Sequence, residues 1–76
     1  MNFEKVRDII VETVNLDQED VKMESNLKEN LGLDSLDAVE LNMALEEAFD
    51  ITIDDEELVK FVTVKNIVDY IDKHVA

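Results

Sequence analysis

The sequence predicts an all-α fold: a small four-helix bundle of three main helices and one short one, with a long first loop, in a single domain over residues 1–76. Three observations predict it. The chain has no Pro and one Gly, so nothing interrupts helices for long. Apolar residues recur at helical spacing in several separate stretches. The one stretch that alternates like a strand, Ile51-Thr52-Ile53, is three residues long and has no partner. It reads as a loop with buried Ile anchors.

The elements follow in order. Phe3, Val6, Ile10 and Val14 lie at i, i+3, i+7 and i+11, one face of a first helix. Asp17 to Asn30 is polar and irregular, with apolar anchors at Val21, Met23 and Leu27. Asn26 and Glu29 have capping-box spacing, which predicts one helical turn within this loop. Asp34 is a good N-cap for a second helix running to about Phe49. Asp54 or Asp55 caps a short third helix carrying Leu58 and Phe61. Thr63 caps a fourth, whose apolar face is Val64, Ile67, Val68, Ile71 and Val75. With no Cys there is no disulfide, so the core must come from packing alone.

Charge narrows the function. Twenty Asp and Glu against seven Lys and Arg give a net charge of −13. That excludes a phosphate backbone as partner and favours basic partners. Residues 29–59 hold eleven acids and no base. This window is either a solvated acidic face or an interaction surface. No long apolar run follows Met1. No signal peptide, transit peptide or membrane span is therefore expected, and the chain reads as a cytoplasmic protein or one of an equivalent reducing organelle compartment.

The second helix has two apolar faces. At about 100° per residue, Ala38, Leu41, Leu45, Ala48 and Phe49 fall in one arc, the core face. Leu36, Val39 and Met43 fall roughly opposite. Glu40, Glu46, Glu47 and Asp50 lie in or beside that second arc. A helix of so small a domain does not easily bury both sides. The second stripe is either covered by a loop or is an exposed docking strip, with apolar contacts for affinity and acids steering a basic partner.

Ser35 sits where the strip begins, after Gly32 and at the presumed start of the second helix. Free N–H groups and the positive end of the helix dipole favour a phosphate there. Ordinary capping is the competing reading of Asp34-Ser35. An enzyme is poorly supported. A nucleophilic Ser needs an adjacent base, the only His is His74, and no Gly follows Ser35 to complete a nucleophile elbow. Asp54-Asp55-Glu56-Glu57 reads as a solvated helix start or a loose divalent-cation site. It lacks the Gly of an EF-hand, and no metal centre is assigned.

Asn30-Leu31-Gly32-Leu33-Asp34-Ser35-Leu36-Asp37, then Val39-Glu40-Leu41 and Leu45-Glu46-Glu47-Ala48-Phe49, resemble the acyl carrier proteins of type II fatty acid synthesis. The likeness covers essentially the whole chain, through Ile53-Asp54-Asp55-Glu56 and Thr63-Val64 to Asp69-Tyr70-Ile71. It implies a non-catalytic carrier whose Ser35, flanked by Asp34 and Leu36, bears 4′-phosphopantetheine transferred from coenzyme A by a holo-acyl carrier protein synthase. Acyl chains then ride as thioesters on the prosthetic thiol. It implies a monomer whose strip of Leu36, Val39, Glu40, Met43, Glu46 and Glu47 docks on basic patches of fatty acid synthesis enzymes. It also implies an acyl pocket lined by Leu41, Leu45, Phe49, Ile53, Leu58, Phe61, Val62 and Ile71, all of which also read as plain core.

Four positions depart from the family's pattern. Leu33 stands where a small residue is frequent, Asn42 where an aliphatic is usual, and Leu58 and Phe61 are bulky. Two other readings remain: a carrier for a polyketide, aminoacyl or specialised acyl cargo, and an acidic helical module that carries nothing.

Overall fold

A computed structural model describes residues 2–75. Four α-helices occur among them: α1 (Phe3–Val14), α2 (Ser35–Phe49), α3 (Asp55–Leu58) and α4 (Val64–Val75), with one 3-10 turn at Gln18–Asp20. The three main helices, the single-turn α3 and the long α1–α2 loop are the architecture expected.

α1 packs on α2 and α4. The core is built from Val6 and Ile10 of α1, Leu41 and Leu45 of α2, and Val64, Ile67, Val68 and Ile71 of α4. Each set sits at helical spacing, so each helix presents one stripe to the centre. Phe3 and Val14 are only half-buried at the ends of the α1 stripe, and Val75 is exposed. Asn2 ties the start of α1 to α4: its backbone N–H and its side-chain amide both donate to Asp72 Oδ1, at 2.9 and 2.7 Å.

The chain has only one Gly, yet α1 and α2 both end in left-handed residues. Asn15 and Asp50 take that conformation, each at φ 54°; these two residue types tolerate it best after Gly. The N–H groups of Asn15 and Leu16 close on Val11 O, and those of Asp50 and Ile51 close on Glu46 O. One carbonyl near each helix end thereby accepts twice.

The α1–α2 loop is pinned, not loose. Val21, Leu27, Leu31 and Leu33 are buried in the core. Asn26 and Thr63 form an isolated antiparallel bridge. Across it Leu27 N–H donates to Val62 O at 2.9 Å and Val64 N–H to Ser25 O at 3.0 Å. The predicted turn is present, with one change in its chemistry. Asn26 Oδ1 accepts from the Lys28 and Glu29 N–H groups, but the return bond to Asn26 N–H comes from Asn30 Oδ1, not from Glu29. Gly32 then turns the chain at φ +69°. A Cβ there would meet nothing within 4 Å, so the backbone angle, not space, asks for Gly.

The Ile51-Thr52-Ile53 segment is irregular and anchors through the buried Ile53. α3 begins after Asp54, and Phe61 lies beyond its end. α4 opens on a reciprocal cap: Asn66 N–H donates to Thr63 Oγ1 at 3.4 Å, while Asn66 Oδ1 accepts from Val62 and Thr63 N–H.

The core face of α2 is rotated from the one expected. Ala48 is exposed, and Asn42, not assigned to the core, is buried. The buried arc is centred nearer Asn42, so Ala48 falls at its edge.

Candidate functional site

Asp34 fixes where α2 starts. Its carboxylate accepts the Asp37 N–H at 2.9 Å, and Asp37 Oδ2 accepts from Asp34 N–H at 3.4 Å, a capping box built from two aspartates. Asp34 O also takes the Ala38 N–H at 3.0 Å. Of the four N–H groups orphaned at a helix start, those of Ser35 and Leu36 are left for solvent or an anion. Ser35 is the first helical residue and is exposed. The other serine is engaged: Ser25 is buried, its Oγ donating to Asp20 O and accepting from Lys22 N–H.

Beside Ser35 opens a cavity of about 320 Å³. Ser35, Asp34 and Lys28 supply its charged and polar rim, and Leu27, Leu33 and Ala38 continue the wall from there. Of the eight residues expected to line an acyl pocket, Leu41, Leu45, Leu58 and Phe61 border this cavity. The other four do not. Ile71 and Ile53 are sealed in the core. Phe49 is half-buried at the far end of α2, with the Lys5 ammonium 5.9 Å from its ring centre. Val62 is 54% exposed, because the bridge to Leu27 engages its backbone and leaves the side chain outside. Sequence reasoning missed Leu27, Lys28, Val59 and Ile67 as lining residues. Leu33 and Asn42 also line it, and both had stood out only as departures from a pattern.

The outer face of α2 carries an apolar strip. Leu36 is 70% exposed and Met43 61%, with Val39 exposed between them. Among the described residues no loop covers them. Glu40 and Glu47 are exposed beside the strip. Glu46 differs: it is half-buried and its Oε2 accepts the Ile53 N–H at 2.8 Å. That bond commits one carboxylate oxygen to holding the α2–α3 loop. Val39 both belongs to the strip and borders the cavity.

Among the described residues no side-chain hydrogen bond joins Ser35 Oγ to His74, the one histidine. His74 lies in the last turn of α4, stacked on Tyr70, with Nδ1 2.8 Å from Tyr70 O. Among the described residues no three His, Asp or Glu gather to hold a metal ion, and no helix is long and apolar enough to cross a membrane.

Comparison with known proteins agrees with this geometry. Residues 4–71 match the family described as the phosphopantetheine attachment site. An acyl carrier protein of Campylobacter concisus is 52% identical over 71 residues, covering 93% of this chain and 92% of that one. One from Clostridium acetobutylicum is 53% identical over 74 residues, 97% of this chain and 96% of its own. One from Phytoplasma mali is 47% identical over 75 residues, 99% of this chain and 89% of its own. The solved structure of an acyl carrier protein candidate from Mycobacterium tuberculosis superposes with a TM-score of 0.90, covering 97% of this chain and 99% of that one. At 24% identity that likeness speaks for the fold alone. The family match over most of the chain, with relatives about half identical along nearly their whole length, places this chain among the phosphopantetheine-bearing acyl carrier proteins.

Proposed function

We propose that Ser35 is the attachment residue, and that the chain is a non-catalytic, monomeric carrier for fatty acid synthesis in the cytoplasm. The observation that carries this is the position of Ser35: an exposed hydroxyl at the first residue of α2, on the rim of a mostly apolar cavity.

The residues around Ser35 fit the group. The unpaired N–H groups of the first turn favour a phosphate at that end of the helix, and Lys28 on the rim adds a positive side chain. Asp34 and Asp37 oppose it. A covalent ester needs no net attraction, so the capping carboxylates hold the helix start without expelling the phosphate. When bound, the group supplies a thiol that carries acyl chains as thioesters. The chain itself positions Ser35, offers the cavity as a dry shelter and supplies no general base. The proton leaving Ser35 Oγ therefore passes to the transferase, for which a holo-acyl carrier protein synthase is the natural candidate.

The strip of Leu36, Val39, Glu40, Met43 and Glu47, with Glu46 at its edge, is the proposed docking face for partner enzymes. A basic partner would be steered by the carboxylates and held by the apolar centre.

Incubation with coenzyme A and a phosphopantetheinyl transferase, read by intact mass, tests the assignment. One adduct is expected on the unaltered chain. Ser35→Ala should gain none while its helical circular dichroism stays nearly intact. A Ser35→Ala protein that still acquired the adduct mass would end the assignment.

A further inference from the structure

The chain has three methionines, and their surroundings differ. Met1 lies outside the described residues. Met23 is half-buried and packs against the core, and its carbonyl accepts the Lys65 N–H at 2.9 Å. Met43 is 61% exposed, near the middle of α2. Of the two described methionines, Met43 is the one open to solvent.

Its neighbours give a chemical change there a consequence. Residues three and four apart on a helix touch one another. Val39 lies one turn before Met43 and Leu36 two turns before it, and all three are exposed. Glu40 and Glu47, both exposed, flank Met43 at i−3 and i+4. An ionised carboxylate only accepts hydrogen bonds, and residues 29–59 hold no Lys, Arg or His. A sulfoxide oxygen at this place would meet no cationic donor on its own helix. It would stay hydrated until a partner covered it, and covering it removes water from a polar group inside an apolar contact.

We propose that Met43 is an oxidation switch in the docking strip: a neutral hydroperoxide converts its thioether to the sulfoxide, and the sulfoxide speeds dissociation of docked partners. This rests on the reading of the α2 strip as the docking face. The step is a two-electron oxidation. A sulfur lone pair attacks one peroxide oxygen, and the O–O bond breaks as the S–O bond forms. The departing hydroxide takes the proton of the transferred oxygen and leaves as water. The sulfur is oxidised and the peroxide reduced. A neutral oxidant is specified because a net charge of −13 repels anionic ones. A reductase that uses a dithiol reverses the step: the oxygen leaves as water and the dithiol becomes a disulfide. Because Met43 is exposed, the change alters binding and leaves the fold in place.

The test treats the chain with hydrogen peroxide, removes the oxidant and locates sulfoxides by peptide mass. Stopped-flow then measures dissociation from a phosphopantetheinyl transferase without coenzyme A, so that docking is read apart from loading. Met43 should oxidise several-fold faster than Met23. Dissociation should quicken about tenfold, the low end of what burying a methionine side chain contributes, with the helical circular dichroism little changed. Methionine sulfoxide reductases of both stereospecificities should restore the original rate. Met43→Leu, compared with its own untreated sample, should not respond to peroxide, although Met1 and Met23 remain in it. Equal oxidation of Met23 and Met43, an unchanged dissociation rate for the Met43 sulfoxide, a peroxide effect that persists in Met43→Leu, or loss of the helical signal each overturns the proposal. Met43→Ala, measured without oxidant, tests the docking reading separately. If it quickens dissociation while the sulfoxide does not, docking stands and the switch falls. If neither does, and Glu40→Lys and Glu47→Lys leave association unchanged, the docking reading itself falls.

Discussion

Replacing Asp34 tests what holds the start of α2, and through it Ser35. Asp34→Ala removes the acceptor of the 2.9 Å bond from Asp37 N–H and leaves Asp37 to cap Asp34 N–H alone. Loss of such a cap costs about 1 kcal/mol, and loss of an anion at a helix N-terminus about 0.3–1 kcal/mol more. Scaled to 76 residues, the usual unfolding entropy is about 160 cal/mol/K, so each kcal/mol lowers Tm by roughly 6 °C. Asp34→Ala should therefore melt about 8–12 °C below the unaltered chain. Asp34→Asn keeps an acceptor of equal capping quality and loses only the charge, part of whose benefit is offset by relief of repulsion from Asp37. It should melt within about 3 °C of the unaltered chain. Thermal melts by circular dichroism at 222 nm, at one pH and salt, decide the matter. If Asn melts as low as Ala, the side-chain hydrogen bond is not what holds the helix start. With folding preserved, the loading rate of Asp34→Asn then reports on the carboxylate alone.

Three further outcomes follow from the surface. Glu40→Lys and Glu47→Lys should slow association with a basic partner at low salt, whereas Met43→Ala should speed dissociation; stopped-flow binding to a phosphopantetheinyl transferase separates the two. Tyr70 is the only tyrosine and there is no tryptophan, so absorbance at 295 nm titrates it alone. Burial first, then the carboxylates of Glu57, Asp54 and Glu46, raise its pKa above the ordinary 10.0. The folded state holds that proton longer than the unfolded chain. The associated stability is thus complete below pH 10 and is lost as pH rises through the folded midpoint, a loss that Tyr70→Phe should remove. Melting temperature should rise with NaCl up to physiological ionic strength, where the screening length is about 8 Å, and further with millimolar Mg²⁺ or Ca²⁺ at matched ionic strength. A curve that fell with NaCl would mean that native ion pairs outweigh the repulsion.

The helices and their caps were legible because their causes are local. Asp34 and Thr63 announce their helices within four residues, and the stripes of α1 and α4 repeat along one element. What was misread depends on contacts between distant residues. Val62 looks like core by composition, but Leu27, thirty-five positions away, pairs with its backbone and turns the side chain out. Asn42 looks like surface by polarity, but α2 packs with its face rotated so that Asn42 is enclosed and Ala48 is not. Glu46 looks like one more acid of the strip, yet an N–H seven residues later claims it. The cavity was half legible for the same reason: α2, α3 and the segment just after it gave Leu41, Leu45, Leu58 and Phe61, while Leu27 and Lys28 arrive from a loop whose path no periodicity encodes.

The distribution of charge fits a surface chosen for encounter more than for stability. Residues 29–59 carry eleven acids, and the ion pair found among them is the exposed Glu57–Lys60 contact at 3.5 Å. An exposed pair at that distance contributes little. The other two ion pairs among the described residues, Arg7–Asp8 and Lys65–Asp69, lie outside the window. The C-terminal half of α2 even places Glu46, Glu47 and Asp50 at the negative end of its own dipole, where acids are unfavourable. Only Glu46 recovers something, through Ile53 N–H. A helix selected for folding alone would carry lysine there, and polar residues at Leu36, Val39 and Met43. Both substitutions are absent on the one helix that also begins at Ser35 and walls the cavity. In the proposed reading these costs have a single source. The arm's attachment residue, one wall of its shelter and the face that partners meet all sit on α2, so the requirements of encounter override those of stability along its whole outer side.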